Sequence, residues 1–344
     1  MHEVQMSKKI PMAEALRDAL REEMQRDETV FLLGEDIGIS KGFGGPFTVT
    51  LGLSEELGHQ RIIDTPISEI AIVGAAVGAA MMGMRPIAEV QYGDFVFCCM
   101  DQIVNQAAKM RYMSGGQVSV PMVLRVPVGA TGRGAQHAQN TETYFLPTAG
   151  LKVAAPSNAY DAKGMLKSAI RDDNPVLFFE HKLLYGSKGP RQETGAFDVS
   201  SEIPAEDYTV PLGVASILRE GKDLTLVALM RMVYTALEAA EELSKQGIEA
   251  EVIDLRSLAP MDVNTVLKSL QKTNRMITVE ESNLIGGWGS ELSAQILEQG
   301  FDYLDAPVIR VGAPHTPVPA TPVLENFYIP SAERVIRAAQ NLIS

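Results

Sequence analysis

Apolar positions recur at helical spacing over residues 11–27, where Met12, Ala15, Leu16, Ala19 and Leu20 share one face. The short apolar run VFLLGED follows and predicts a buried strand. The alternation then continues. RPIAEVQYGDF predicts a strand and its exit, DQIVNQAAKMRYMSGG a helix ending at Gly115-Gly116, and PMVLRVPVGA another strand. YDAKGMLKSAIRDDN predicts a helix and PVLFFEH a strand. Strands that alternate with helices imply a parallel sheet covered on both faces. Residues 187–212 break the pattern: they are polar, with scattered glycine and proline, and read as a linker. Beyond them the alternation resumes through DLTLVAL, VYTALEAAEELSKQG, EAEVIDLRSL, VNTVLKSLQKT, RMITVEES, GSELSAQILEQG and PVIRVG. The expected organisation is an α/β protein with a first domain over 1–190, a linker over 191–212 and a smaller α/β domain over 213–344.

One segment departs from simple amphipathic patterning. DTPISEIAIVGAAVGAAMMG carries no charge from Ile70 to Met84, yet Glu69 stands at its entrance. Two explanations are open. Thr65-Pro66 resembles a helix start, where an acid favours the helix dipole. Otherwise Glu69 is a functional acid against a wall of Ile, Ala, Val and Gly, which would resist ionisation through desolvation. Gly74 and Gly78, four apart, would let another backbone or a flat ligand approach closely, or simply serve tight helix packing.

Charge narrows the function classes. The chain has 344 residues and a net charge of -13, from 43 acids against 30 bases. No excess of cations exists to displace counterions from nucleic acid or to meet an anionic membrane surface. The two cysteines, Cys98 and Cys99, are adjacent and poorly disposed for a disulfide, so they read as reduced, apolar core residues of a cytoplasmic protein. The N-terminus has no secretory apolar region and carries acids, unlike a transit peptide. The longest apolar run is too short and too rich in glycine to span a bilayer.

Familiar catalytic signatures are absent: there is no G-x-x-x-x-G-K-[ST] loop, no H-E-x-x-H and no G-x-S-x-G. The five histidines are scattered, which argues against a zinc site. Three further places could carry chemistry. Phe95 lies just past a strand end, where ligands of open α/β sheets bind, and could stack on a heteroaromatic ring or pack in the core. His137 sits on the polar, glycine-flanked loop GATGRGAQHAQNTE, as an active-site group or a surface histidine. In SAIRDDNP a helix ends before a strand, and Asp172, Asn174 and free carbonyls there could bind a hard cation or form an ordinary turn.

Taken together, LLGEDIG, RIIDTPISEIAIVGAAVGAA, DQIVNQAAKMRYMSGG, GAQHAQ, PSNAYDAKGMLKSAIRDDNPVLFFEHKLLYG, VIDLRSLAPMD and ENFYIPS resemble one family over nearly the whole chain. It is the family of beta subunits of the thiamine-diphosphate-dependent decarboxylating component of 2-oxo acid dehydrogenase complexes. Pyruvate, branched-chain 2-oxo acid and acetoin dehydrogenases belong to it. The resemblance implies a transketolase-like fold: a pyrimidine-binding domain followed by a transketolase C-terminal domain. It implies that Glu69 hydrogen-bonds the aminopyrimidine ring of thiamine diphosphate, favouring the imino tautomer that removes the proton from the thiazolium carbon. It implies that Phe95 stacks on the pyrimidine. His137 matches the loop histidine near the substrate and the incoming lipoyl group, and Met122, Ala169, Ile170, Asp172 and Asn174 match a potassium site. The family's GDG…N motif for magnesium and diphosphate is missing, with YGDF the nearest approach. In the family that motif lies on the alpha subunit. The resemblance therefore implies an alpha2-beta2 heterotetramer that serves a lipoyl-bearing acyltransferase core.

The substrate stays open at this level. EHKLLY and APHTPVPATPVLENFYIPS are similar to acetoin dehydrogenase beta subunits, whereas RYMSGG and the short glycine loop near Gly44 are similar to the 2-oxo acid enzymes. Pyruvate is the first expectation and acetoin the second. The sequence also admits a docking subunit with a vestigial pocket and an unrelated nicotinamide dehydrogenase. Retention of Glu69, Phe95 and His137 together favours catalysis.

Overall fold

The computed structural model describes residues 8–39, 42, 44–186 and 197–343, and its chain divides into two compact units. Part of the expected linker, residues 191–196, and part of the glycine loop, Ser40, Lys41 and Phe43, lie outside the described residues.

The first unit comprises residues up to Val128 together with Pro147–Leu212. Its elements are β1 (Lys8–Ile10), α1 (Met12–Arg26), β2 (Val30–Gly34), α2 (Leu53–Leu57), β3 (Ile62–Asp64), α3 (Glu69–Met81) and β4 (Arg85–Glu89). These are followed by α4 (Met110–Met113), β5 (Val123–Val128), β6 (Lys152–Ala154), α5 (Ala159–Arg171), β7 (Val176–His181) and β8 (Ser201–Ile203). Six of the strands run parallel in the order β6-β7-β5-β4-β2-β3. Continuous burial of β5 and β7 matches their largely apolar runs, each interrupted by charge, as strands covered on both faces. The helices α1 and α5 pack on each other with buried faces that include Leu16, Leu20, Ala162 and Leu166.

Two expectations change here. The polar stretch after residue 196 is not all connector: β8 pairs antiparallel with β1, and Val210 closes on Gly164, where a Cβ would lie 2.6 Å from its methyl. The helix predicted over DQIVNQAAKMRYMSGG is broken into a π-wound segment, Gln102–Ala107, and the short α4. A close backbone approach accompanies the break. Gly150 (φ +100) comes so near that a Cβ on it would lie 2.0 Å from the Ala108 carbonyl oxygen.

The second unit comprises Gly129–Leu146 and Gly213–Ser344. It contains β9 (Ser216–Arg219), β10 (Leu224–Ala228), α6 (Arg231–Ser244), β11 (Ala250–Asp254), β12 (Ser257–Ala259), α7 (Val263–Thr273) and β13 (Met276–Asn283). The chain continues through α8 (Trp288–Gly300), β14 (Ile309–Ala313), α9 (Pro322–Tyr328) and α10 (Ala332–Ile343). Its sheet runs β14-β13-β10-β11-β9, parallel except for β9. Residues 129–146, inside the expected first domain, group by their contacts with the second unit. This loop belongs to the second unit because Ala130 and Ala138 are buried in that unit's core with Met232, Val279 and Tyr328.

Candidate functional site

In the first unit the chain passes from β2 to β3 on one side and then to β4 on the other, so β2 is the strand at which the order reverses. Open parallel sheets bind ligands beyond the carboxyl ends of their strands at such a point. Two of the residues singled out in the sequence flank it. Glu69 opens α3, five residues after β3 ends at Asp64. Phe95 lies in the 3-10 turn Gly93–Cys99 that follows β4. That turn packs against α3.

Glu69 is half-buried, and Ile67 and Ile70 on either side of it are exposed. Its carboxylate has no hydrogen-bond or ion-pair partner among the described residues. Its charge is felt by Cys99, whose thiol is pushed up to about 12 by burial first and by Glu69 second. The core placement expected of both cysteines holds for Cys99 alone, Cys98 being exposed. The segment behind Glu69 is apolar all round, but only Ile72, Val73, Ala76, Val77 and Ala80 are buried. Ile67, Ile70 and Met82 are 75%, 56% and 84% exposed, and Gly78 faces open space. A helix without a polar face is built to be covered on both sides. Phe95 is half-buried and meets Tyr92 edge-on at 5.6 Å.

Behind this surface lies a charged cluster that no sequence motif marks. Arg125 on β5 donates to Glu180 on β7 through Nε (2.8 Å) and Nη2 (2.6 Å), and through Nη1 to Glu89 at the end of β4. The Tyr185 hydroxyl donates to Glu180 at 2.6 Å. All four residues are buried. Burial raises Glu89 against the pull of Arg125; burial would depress Arg125, yet Glu180 and Glu89 hold it well above its ordinary value. The cluster continues outward through rings. Tyr185 stacks on Phe47 at 4.9 Å, Phe47 meets Tyr92 edge-on, and Lys182 lies 4.9 Å over Tyr92. Phe95 thus rests at the edge of a braced aromatic group. The available sequence signal is a lone charge inside each of three apolar runs, PIAEV, VLRVPV and VLFFEH.

The expected cation residues come together at the end of α5. Arg85 donates to the Ile170 and Asp172 carbonyls, each at 3.0 Å, and the Asp172 carboxylate takes Lys152 and both nitrogens of Asn174. The Ala169 and Met122 carbonyls accept from Asp172 and Val176. Burial would raise Asp172, but Lys152 and Asn174 outweigh it and hold it below the usual carboxylate range. Each carbonyl retains a second lone pair, but a cation bound there would share the Ile170 and Asp172 oxygens with the positive charge of Arg85. Among the described residues, no group of three or more His, Cys, Asp or Glu side chains is placed to hold a metal ion.

His137 stands in the second unit, half-buried, on the loop whose Ala130 and Ala138 enter the core. The His137 amide donates to the Gly134 carbonyl at 3.2 Å. At the loop's far end Glu142 is fully buried and pushed up to about 8 by burial, with the charges of Glu281 and Glu280 adding to the rise. A carboxyl raised in the fold keeps its proton where the unfolded chain has lost it. The folded state therefore loses stability as pH climbs from about 4.5 to about 8. Glu142→Gln should flatten that decline by on the order of 3 kcal/mol between pH 5 and 8. Urea unfolding at the two pH values checks this, and parallel declines in both proteins would contradict it.

Comparison with known proteins agrees with this architecture. Residues 8–188 match the transketolase pyrimidine-binding domain and residues 213–335 the transketolase C-terminal domain. The chain is 45% identical over 348 residues to the beta subunit of acetoin:2,6-dichlorophenolindophenol oxidoreductase from Bacillus subtilis (strain 168), covering 98% of both. It is 44% identical to the mitochondrial pyruvate dehydrogenase E1 component subunit beta-2 of Oryza sativa subsp. japonica, covering 97% of this chain and 86% of that one. It is 43% identical to the 2-oxoisovalerate dehydrogenase subunit beta of Bacillus subtilis (strain 168), covering 96% and 97%. A solved split-gene transketolase, an inactive beta4 tetramer, superposes with a TM-score of 0.76 at 25% identity, covering 98% of this chain and 99% of that one. The chain belongs to the transketolase-like family of beta subunits of pyruvate, branched-chain 2-oxo acid and acetoin dehydrogenases.

Proposed function

We propose that the chain is the beta subunit of a thiamine-diphosphate-dependent 2-oxo acid dehydrogenase that acts on pyruvate and works as an alpha2-beta2 heterotetramer. The observation that carries this reading is Glu69: a carboxylate without a partner among the described residues, beside an exposed apolar surface, at the switch point of a parallel sheet. An alpha chain that covers Ile67, Ile70 and Met82 would gain about 25 cal/mol per Å² of apolar area buried and remove water from Glu69. It would also bring the magnesium and diphosphate motif that this sequence lacks.

The residues present suit the cofactor. The Glu69 carboxyl can give a proton to a ring nitrogen and accept the N–H so formed, and Phe95 offers a ring held on one edge by Tyr92. Bound thiamine diphosphate supplies the carbon nucleophile and the electron sink for loss of carbon dioxide. Glu69 holds and returns a proton at the ring nitrogen, a task that grows easier as the alpha chain dries its surroundings. His137 serves the transfer of the acyl group to a lipoyl disulfide, where a thiolate must be protonated near neutral pH. In that step the two-carbon unit is oxidised and the disulfide reduced. Potassium would use the second lone pairs of the Met122, Ala169, Ile170 and Asp172 carbonyls and the Asn174 side-chain oxygen. Melting is then expected at higher temperature in potassium than in a bulky organic cation at matched ionic strength; coincident curves would remove the ion.

Acetoin is the second substrate reading, favoured by the relative at 45% identity. The two free cysteines support a reducing, cytoplasmic setting, and among the described residues no helix is long and apolar enough to cross a membrane. The test is turnover of pyruvate, 2-oxoisovalerate and acetoin by the reconstituted alpha–beta pair, with a lipoyl domain as acceptor. Highest kcat/KM for pyruvate is the expected result; highest for acetoin would replace the substrate, and no turnover of any would remove the dehydrogenase reading.

A further inference from the structure

The loop that carries His137 is held by two carboxylates remote from it in sequence. The Ala130 amide donates to Glu281 Oε1 at 2.8 Å, and the Gly132 amide donates to Glu325 Oε1 at 2.7 Å. The acceptors lie 151 and 193 residues further along the chain, one on β13 and one on α9. Both are buried, and Arg231 Nη1 lies 3.8 Å from the other oxygen of Glu281. Between the two gripped amides and His137 the chain turns at Gly134 (φ +76), where a Cβ would come 3.2 Å from that of Ala320. Beyond His137, Ala138 is buried in the core. The histidine is thus bracketed by two carboxylate grips on one side and a core anchor on the other.

We infer that Glu281 and Glu325 are positioning residues for His137, fixing the loop's backbone to the second unit so that the imidazole is presented in one place. The inference rests on the proposed role of His137 in acyl transfer. A carboxylate that accepts an amide hydrogen forms a charge-assisted bond, stronger than the water contacts that replace it when the loop lifts. Glutamine at the same place keeps an acceptor oxygen, whereas alanine leaves the amide without one. Substitution at Glu325 should therefore grade: alanine releases the loop and glutamine largely retains it.

Hydrogen exchange on the full chain tests the grip without any assay of activity. Glu325→Ala should speed exchange over residues 130–137 about tenfold or more while β10 and β13 stay protected, and Glu325→Gln should stay much nearer the parent. In the reconstituted tetramer, Glu325→Ala should lower transfer to the lipoyl domain more than reduction of an artificial dye. In a chain that already carries His137→Ala, adding Glu325→Ala should cause no further loss. Unchanged exchange in Glu325→Ala, or losses that multiply in the double variant, would overturn the inference. Glu281→Gln, expected to keep the loop protected, guards against a folding defect peculiar to Glu325. If His137→Ala alone leaves both rates intact, the reading of His137 fails and the positioning role fails with it. Exchange then still reports whether the carboxylates hold the loop.

Discussion

Glu69→Gln should lower turnover of the reconstituted complex by about 100- to 10,000-fold while leaving the subunits assembled. Glutamine fills the same space and can still hydrogen-bond, but it cannot take up and return a proton. The side chain has no partner among the described residues that the substitution would disturb, and Ile67 and Ile70 beside it are exposed in this chain. The loss should therefore fall on activity and not on the stability of the isolated chain. Unchanged melting with a collapse of kcat is the expected pair of results. A variant that assembles and keeps near-normal turnover would reduce Glu69 to a residue that only complements the dipole of α3.

Arg125→Met should be the most damaging single change to the first unit, costing about 3–5 kcal/mol. The arginine's single charge is shared by two buried acids, Glu180 through two bonds and Glu89 through a third. Methionine retains part of the side-chain volume but leaves both acids without a counter-charge. Glu180 would keep the Tyr185 hydroxyl at 2.6 Å, which compensates only in part. Combining Arg125→Met with Glu89→Gln and Glu180→Gln should recover much of the loss, because the cost arises from stranded charge rather than lost packing. Urea midpoints of the single and triple variants decide this. A single-variant loss below about 1 kcal/mol would show the cluster to be hydrated or loosely held.

The largely apolar runs announce β2, β5, β7 and β10 because a strand buried on both faces does not alternate with polar residues. The charge-free stretch after Glu69 announces α3, but not that one side of it is exposed in the chain alone: hydropathy does not say which molecule covers a surface. The membership of residues 129–146 is equally hidden. Ala130 and Ala138 are too small and too far apart to form a periodic signal, and the acids that grip the loop are far away in sequence. Arg125, Glu89 and Glu180 are present as single charges within apolar strands, yet only the parallel register of β4, β5 and β7 brings them together. Ala169, Ile170, Asp172 and Asn174 share the end of α5 because they are close in sequence, whereas Met122 comes from just before β5, where its carbonyl accepts from Val176. The contributions of Arg85 and Lys152, from other strands, become visible only in the fold.

In the proposed function this chain holds half of a cofactor site, with the pyrimidine end here and the diphosphate end on a partner. Calorimetric titration of thiamine diphosphate with magnesium, first into the isolated chain and then into the reconstituted alpha–beta complex, tests it most directly. Weak, magnesium-independent binding to the isolated chain and tight, magnesium-dependent binding to the complex are the expected results. Tight, magnesium-dependent binding by the isolated chain would contradict the half site.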